Sequence, residues 1–311
     1  MGKIYALCIS DEKGTAKYEK ESVRVIEDYG FENDAHAGKW HRQVSLLSRD
    51  SVEDFEAKKD GVKIAQGAFG ENILVTGMDL AKLPIGTILV SGDVRLEISQ
   101  IGKECHHGCD IRKTMGDCIM PREGIFAKVL SGGTLARGDE IEIESYPPYK
   151  LGIITVSDKG YAGKRKDESG DEIEKIFRDK GFDIGARTIV PDERGEISEA
   201  IKNFTDDLGL DLILTTGGTG LSPRDITPEA TLDVIDKNVP GIAEAMRLYS
   251  SKFTNRAMLS RAVSGIRGSS LIINLPGSVK AVRENIEAFE DSLDHGLGIL
   301  KQRESECGRK N

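Results

Sequence analysis

The sequence predicts two domains of different class. Residues 1–146 read as a mostly β, barrel-like domain, and residues 150–311 as an α/β domain with a mainly parallel sheet flanked by helices. Three observations carry this. A chain of 311 residues exceeds the ~100–200 of one ordinary domain. Pro147-Pro148, inside Ser145–Lys150, stops the preceding strand and cannot join a helix. Finally, the hydrophobic pattern changes across those prolines, from strands punctuated by glycine to strands alternating with amphipathic helices.

The first half offers KIYALCI, QVSLLS, ENILVTG, GTILV, VRLEISQI, IFAKVL and GDEIEIES, short runs rich in β-branched residues and bounded by turn formers. Only Ser51–Lys59 has convincing helical spacing. The strands are therefore expected to lack crossover helices and to close as an antiparallel barrel or folded sheet. In the second half, LGIITVSD is followed by a helix over Asp171–Lys180. ARTIVPD precedes a helix over Ile197–Asp207, and DLILTTGG precedes helices over Pro228–Asp236 and Gly241–Lys252. SLIINLPG then leads into one long helix over Ser278–Leu300. Such alternation is the pattern of repeated βαβ units.

Acidic residues outnumber basic ones 52 to 43, giving a formal charge of −9. That argues against non-specific binding to nucleic acid or an anionic membrane, which needs clustered basic charge. No apolar run approaches the ~20 residues of a membrane span, and the first residues are too briefly apolar for a signal peptide, so a cytoplasmic location is expected. The five cysteines, Cys8, Cys105, Cys109, Cys118 and Cys307, are then thiols or metal ligands rather than a disulfide framework.

Ligands of open α/β sheets bind beyond the carboxyl ends of the strands, so the strand exits carry the site. DLILTTGGTG ends in Gly217, Gly218, Thr219 and Gly220, a stretch able to point backbone N–H groups at an anion; read alone it is equally a plain turn. SPRDITPEA follows. Ser222, Arg224 and Asp225 there precede Thr227-Pro228, a helix start, so a guanidinium and a carboxylate share one short loop. They suit a phosphate and its Mg²⁺, or else form a surface ion pair. A third exit runs Asn274, Leu275, Pro276, Gly277, Ser278 into a helix N-terminus, where Ser278 is a cap or a ligand contact. A fourth places Asp192 after Pro191. There is no G-x-x-x-x-G-K-[ST] motif, which excludes a P-loop enzyme.

These stretches, TVSDKG, VPDE, DLILTTGGTGLSPRDITPEAT, PGIAEAMR and LSRAVSGIRGSSLIINLPGS, resemble the molybdopterin-binding, adenylyltransferase family of molybdenum cofactor synthesis over Leu151 to about Leu300. The resemblance implies transfer of AMP from Mg·ATP to the terminal phosphate of molybdopterin with release of pyrophosphate. It also implies that Asp192 and Asp225 are the acidic residues on which the reaction depends, holding Mg²⁺ and orienting the substrates. Gly217–Gly220, Ser222 and Asn274–Ser278 would contact phosphate and pterin, and Arg224 would stabilise charge. Members are commonly trimers or trimer-based, so a homo-oligomer is expected.

In the first half the densest cluster is GKECHHGCDIRKTMGDC, with Cys105, His106, His107, Cys109 and Cys118. It could supply four soft ligands to zinc. Structural zinc sites, however, usually use two close pairs, and one is present here. Alternatively, Lys103, His106 and His107 could favour the thiolate of Cys105, while Cys118 alone reads as a small buried hydrophobe. DAHAG, HRQVSLLS, GAFGENILVTGMDLAKLPIGT, the GKEC segment and GIFAKVLSGGTLARGDEI resemble the MOSC domain, from about Lys3 to Ile143. That resemblance implies that Cys105 carries sulfur or touches the cofactor. The surrounding histidines and cysteines depart from a one-thiol pattern and leave a metal or shared-sulfur site open. His36 and His41 read as structural.

The expected protein is bifunctional, adenylating molybdopterin in its C-terminal half and binding the cofactor or handling sulfur in its N-terminal half. Molybdate-insertion or sulfur-transfer proteins are the expected partners. The alternative is a non-catalytic molybdopterin-binding and delivery protein with a cysteine–histidine zinc site in the N-terminal domain; pyrophosphate release and metal analysis discriminate.

Overall fold

The computed structural model describes residues 1–59, 61–104 and 117–303. The chain divides into two compact units, Met1–Pro147 and Pro148–Asn311.

In the first unit β1 (Gly2–Ile9), β2 (Tyr18–Lys20), β3 (Ser22–Ile26), β4 (Gly30–Phe31), β5 (Val44–Ser48) and β6 (Ile73–Thr76) precede five further strands. These are β7 (Ile88–Ser91), β8 (Val94–Ile101), β9 (Ile125–Ser131), β10 (Gly133–Ala136) and β11 (Glu140–Ser145). The main sheet runs β11-β7-β8-β9-β5-β6-β1, and β1 pairs back onto β11, so it closes into a barrel with β2 added beside β1. A second, three-stranded sheet, β10-β3-β4, adds Val23, Val25 and Leu135 to the buried cluster of the barrel.

Side chains alternate across the barrel wall. Ile4 and Leu7 of β1 join Leu46, Ile73, Leu96 and Ile125 in one buried cluster. Ala6 and Cys8 join Val52 and Phe55 of the helix Arg49–Lys58 in another. That helix corrects the expectation of a purely antiparallel barrel without crossovers. β5 and β6 pair in parallel, Leu46 opposite Ile73, and a parallel return must carry the chain back along the sheet, which the helix does.

The second unit carries β12 (Lys150–Val156), β13 (Asp183–Val190), β14 (Leu212–Thr216), β15 (Lys237–Asn238), β16 (Ser264–Arg267) and β17 (Ser270–Leu275) in the order β13-β12-β14-β17-β16-β15. The first four strands in that order are parallel, and the last two join antiparallel. Leu212 and Leu214 face one buried cluster with Phe177, Met246 and Val282, while Ile213 faces the other with Ile197, Ile201 and Ala230. Helices thus cover both faces, which is why these strands read as unbroken apolar runs.

The single helix expected over Ser278–Leu300 is two, Val279–Glu287 and Glu290–Leu300. Phe289 at the break is 5% exposed and packs in the same cluster as Leu293 and Leu297, so burying it bends the chain. Among the described residues no helix is long and apolar enough to cross a membrane.

Candidate functional site

Because β12, β13, β14 and β17 are parallel, their carboxyl ends lie at one end of the sheet, where the chain turns into loops. After β14, Gly217 and Gly218 take φ values of +101° and +64°. A Cβ on Gly217 would stand 2.3 Å from the Val156 carbonyl oxygen, and one on Gly218 2.3 Å from Thr227 Oγ1. Both positions require glycine. The turn is tied down on each side: Gly217 N–H donates to the Leu275 carbonyl, and Thr227 Oγ1 donates to the Gly217 carbonyl at 2.9 Å. A Cβ on Gly277 would lie 3.3 Å from Gly217 Cα, so the β17 exit packs directly against the glycine turn.

Asp225 folds its own loop. Its Oδ2 accepts the Ser222 N–H at 2.9 Å, and its N–H donates to the Ser222 carbonyl. Asp192 leaves β13 beside the end of β12. The Asp158 N–H donates to Asp192 Oδ2 at 2.8 Å, and the Asp192 N–H donates to Asp158 Oδ1 at 3.0 Å. Burial pushes the Asp192 carboxyl up from its usual value; the negative charges of Asp158 and Asp225 add to this, against the Asp158 N–H and Arg224, which favour the anion.

Arg224 is engaged with protein carboxylates. Its Nε and Nη2 donate to Asp158 and its Nη1 donates to Glu193 Oε1 at 2.7 Å, with all three side chains about half exposed. Asn274 turns its side chain into the protein. It is fully buried, its amide donates to Thr215 Oγ1 and Thr231 Oγ1, and its Oδ1 accepts the Val263 N–H, so it braces the sheet end from inside. Pro276 accepts the Thr216 hydroxyl through its carbonyl. Ser278 is exposed and caps the helix Val279–Glu287 through the Ala281 N–H. Thr219 is buried, and its carbonyl accepts the Arg261 N–H.

Sequence reasoning missed Asp158, Glu193 and Arg261. Each sits within a quoted motif, but what it touches is remote in sequence, from 31 to 66 residues for the ion pairs of Asp158, Glu193 and Arg261.

In the first unit Cys105, His106, His107 and Cys109 lie outside the described residues, and with them the thiolate and zinc readings. Cys118 is buried, in a cluster with Met120 and Phe126. His36 Nδ1 lies 3.3 Å from Ser10 Oγ, and His41 Nε2 lies 2.9 Å from Gln100 Oε1.

The family described as "Probable molybdopterin binding domain" matches residues 152–295, and the MOSC domain matches 33–142. A molybdopterin adenylyltransferase of Haemophilus influenzae is 42% identical over 145 residues, 46% of this chain and 73% of that protein. One of Helicobacter pylori (strain J99) is 38% identical over 163 residues, 52% of this chain and 93% of that protein. The chain belongs to the molybdopterin adenylyltransferase family. The structure of the molybdopterin biosynthesis enzyme MoaB from Thermus thermophilus is 47% identical, with a TM-score of 0.48, and covers 50% of this chain and 97% of that one. The adenylyltransferase-like part of this family member is the second unit; the MOSC domain lies in the first.

Proposed function

We propose that the second unit transfers AMP from Mg·ATP to molybdopterin with release of pyrophosphate, and that the MOSC domain binds the cofactor or handles its sulfur. The first part is supported by Asp158 at the carboxyl end of the parallel sheet, which bonds Asp192 at the exit of β13 and Arg224 in the loop that Asp225 folds after β14.

The donor set fits Mg²⁺. Asp192 Oδ1 and Asp225 Oδ1 carry no hydrogen bond among the described residues, and carboxylate oxygens are the ligands a hard dication takes. When bound, Mg²⁺ would neutralise charge on the triphosphate. The chain's own residues do the rest. The N–H groups of Gly218, Thr219 and Gly220 would donate to a phosphate, that of Gly217 being taken by the Leu275 carbonyl. Ser278 opens a helix whose N-terminal N–H groups favour an anion.

The reaction needs no protein nucleophile. An oxygen of the molybdopterin phosphate attacks the α-phosphorus of ATP, the bond from that phosphorus to the bridging oxygen breaks, and pyrophosphate leaves with the electron pair. Positioning and electrostatic stabilisation supply the acceleration.

The test is incubation of the full chain with Mg·ATP and molybdopterin, reading pyrophosphate and adenylylated product together. Pyrophosphate released in the absence of molybdopterin, or molybdopterin binding with no pyrophosphate, would replace adenylyl transfer by hydrolysis or by cofactor delivery respectively.

A further inference from the structure

Asp158 stands at the exit of β12, and its carboxylate and main chain are occupied by two residues of the candidate site. Its backbone N–H holds Asp192 Oδ2 at 2.8 Å, and its Oδ1 receives the Asp192 N–H at 3.0 Å. This reciprocal pair ties the Asp192 backbone and one of its carboxylate oxygens to Asp158. One oxygen, Asp192 Oδ1, is left directed elsewhere. On its other side the Asp158 carboxylate takes the Arg224 guanidinium through Nε at 3.2 Å and through Nη2 at 2.9 Å to each oxygen. Asp158 is therefore held from the β14 side while it holds the β13 side.

An exposed ion pair alone would carry little, since surface pairs contribute ~0–1 kcal/mol. What distinguishes this one is the pair of main-chain hydrogen bonds, which set a direction rather than a charge. Losing the Asp158 carboxyl frees the Asp192 N–H and lets the β13 exit rotate, and a carboxylate displaced by ~1 Å loses much of its catalytic effect.

We propose that Asp158 is a positioning residue for Asp192, fixing through its carboxyl oxygen the loop from which Asp192 acts. This rests on the adenylyltransferase reading of the second unit.

The experiment is steady-state adenylylation by the full-length protein carrying Asp158→Ala, Asp158→Asn or Asp158→Glu, with thermal unfolding of each. Asn keeps an oxygen at the right distance to accept the Asp192 N–H but has no charge, whereas Glu keeps the charge and moves it one methylene away. The expected result is a fall of about 10-fold or more in kcat for Ala and Glu, near-wild-type kcat for Asn, and KM for ATP within about threefold in all three, as for loss of alignment rather than of ground-state binding. If Ala fails to fold, the Asn and Glu variants decide alone.

Glu active and Asn inactive would make the charge on Arg224 the relevant quantity and overturn the proposal, as would wild-type kcat in Ala, or losses that follow the unfolding temperature. A wild-type protein that releases no pyrophosphate would instead defeat the functional reading. Asp158 would then be judged by hydrogen exchange of the Asp192 N–H, in which faster exchange in Ala and Glu but not Asn supports it and equal exchange in all overturns it.

Discussion

Arg261 Nε donates to the Gly220 carbonyl at 2.7 Å, and its Nη2 donates to the Asp225 carbonyl, so one guanidinium clamps the end of the glycine turn to the loop that carries Asp225. The same group also meets Glu229 through Nη1, and the Arg261 main chain donates to Thr219. Lysine cannot reproduce this fork. Arg261→Lys is expected to lower turnover by about 10–100-fold, the equivalent of ~1.5–3 kcal/mol for hydrogen bonds to a charged donor. Hydrogen exchange over residues 217–226 should rise in parallel; unchanged exchange and turnover would show that the turn stands without the clamp.

Asp225→Asn keeps volume and one carbonyl oxygen for the Ser222 N–H but removes the charge a dication requires. Adenylylation should fall at least ~100-fold, the scale of losing an electrostatic stabiliser, with the unfolding temperature unchanged. Full turnover at saturating Mg²⁺ would take Asp225 out of the site.

The second unit has its own two-faced sheet and both of its buried clusters. A fragment beginning at Tyr149 is expected to fold and to retain ATP-dependent activity. Circular dichroism and a pyrophosphate assay on the fragment check this, and an insoluble fragment beside an active full chain would refute it.

In the first unit Lys17 Nζ donates to Asp34 Oδ2 at 2.8 Å with both side chains essentially fully buried. Burial alone would raise the Asp34 carboxyl, but Lys17, the Ser10 N–H and Asn72 outweigh it and hold the pKa below its usual value. Such a group stabilises the fold above its unfolded pKa of ~3.9, and that stability is lost as pH falls through the depressed folded value. Lys17→Met strands the carboxylate and should cost about 3–5 kcal/mol near neutral pH. The stranded carboxyl takes up a proton more readily than the paired one, so the difference from wild type should shrink as pH falls toward ~4. Urea denaturation at two pH values measures both.

Cys105 is expected to be the fastest-alkylating cysteine. Lys103, His106 and His107 adjoin it in sequence, whereas Cys8 is fully buried and its thiol is pushed up to about 12, first by burial and then by the negative charges of Glu71 and Glu19. Mass-spectrometric mapping at two pH values, with and without chelator, tests it. Joint protection of Cys105, Cys109 and Cys118 until chelation would favour zinc instead.

Much of this architecture was legible in the sequence because it is local. Pro147-Pro148, the unbroken apolar runs of β12, β14 and β17, and the glycines of TTGGTG are each dictated by short-range sterics and periodicity. The parallel pairing of β5 with β6 was not legible, since the helix Arg49–Lys58 gives no sign of which strand edge it leads to. The break at Phe289 was likewise hidden in a continuous helical pattern.

The sequence by itself determined the two domain classes, the strand exits and the acidic and glycine residues at them, because each depends on the chemistry of neighbouring residues. Only the tertiary structure decided what those residues touch. It turned Asn274 inward onto Thr215 and Thr231, committed Arg224 to Asp158 and Glu193, and made Arg261 the clamp of the glycine turn. These are contacts between segments tens of residues apart, set by which strands lie side by side, and no local pattern encodes that adjacency.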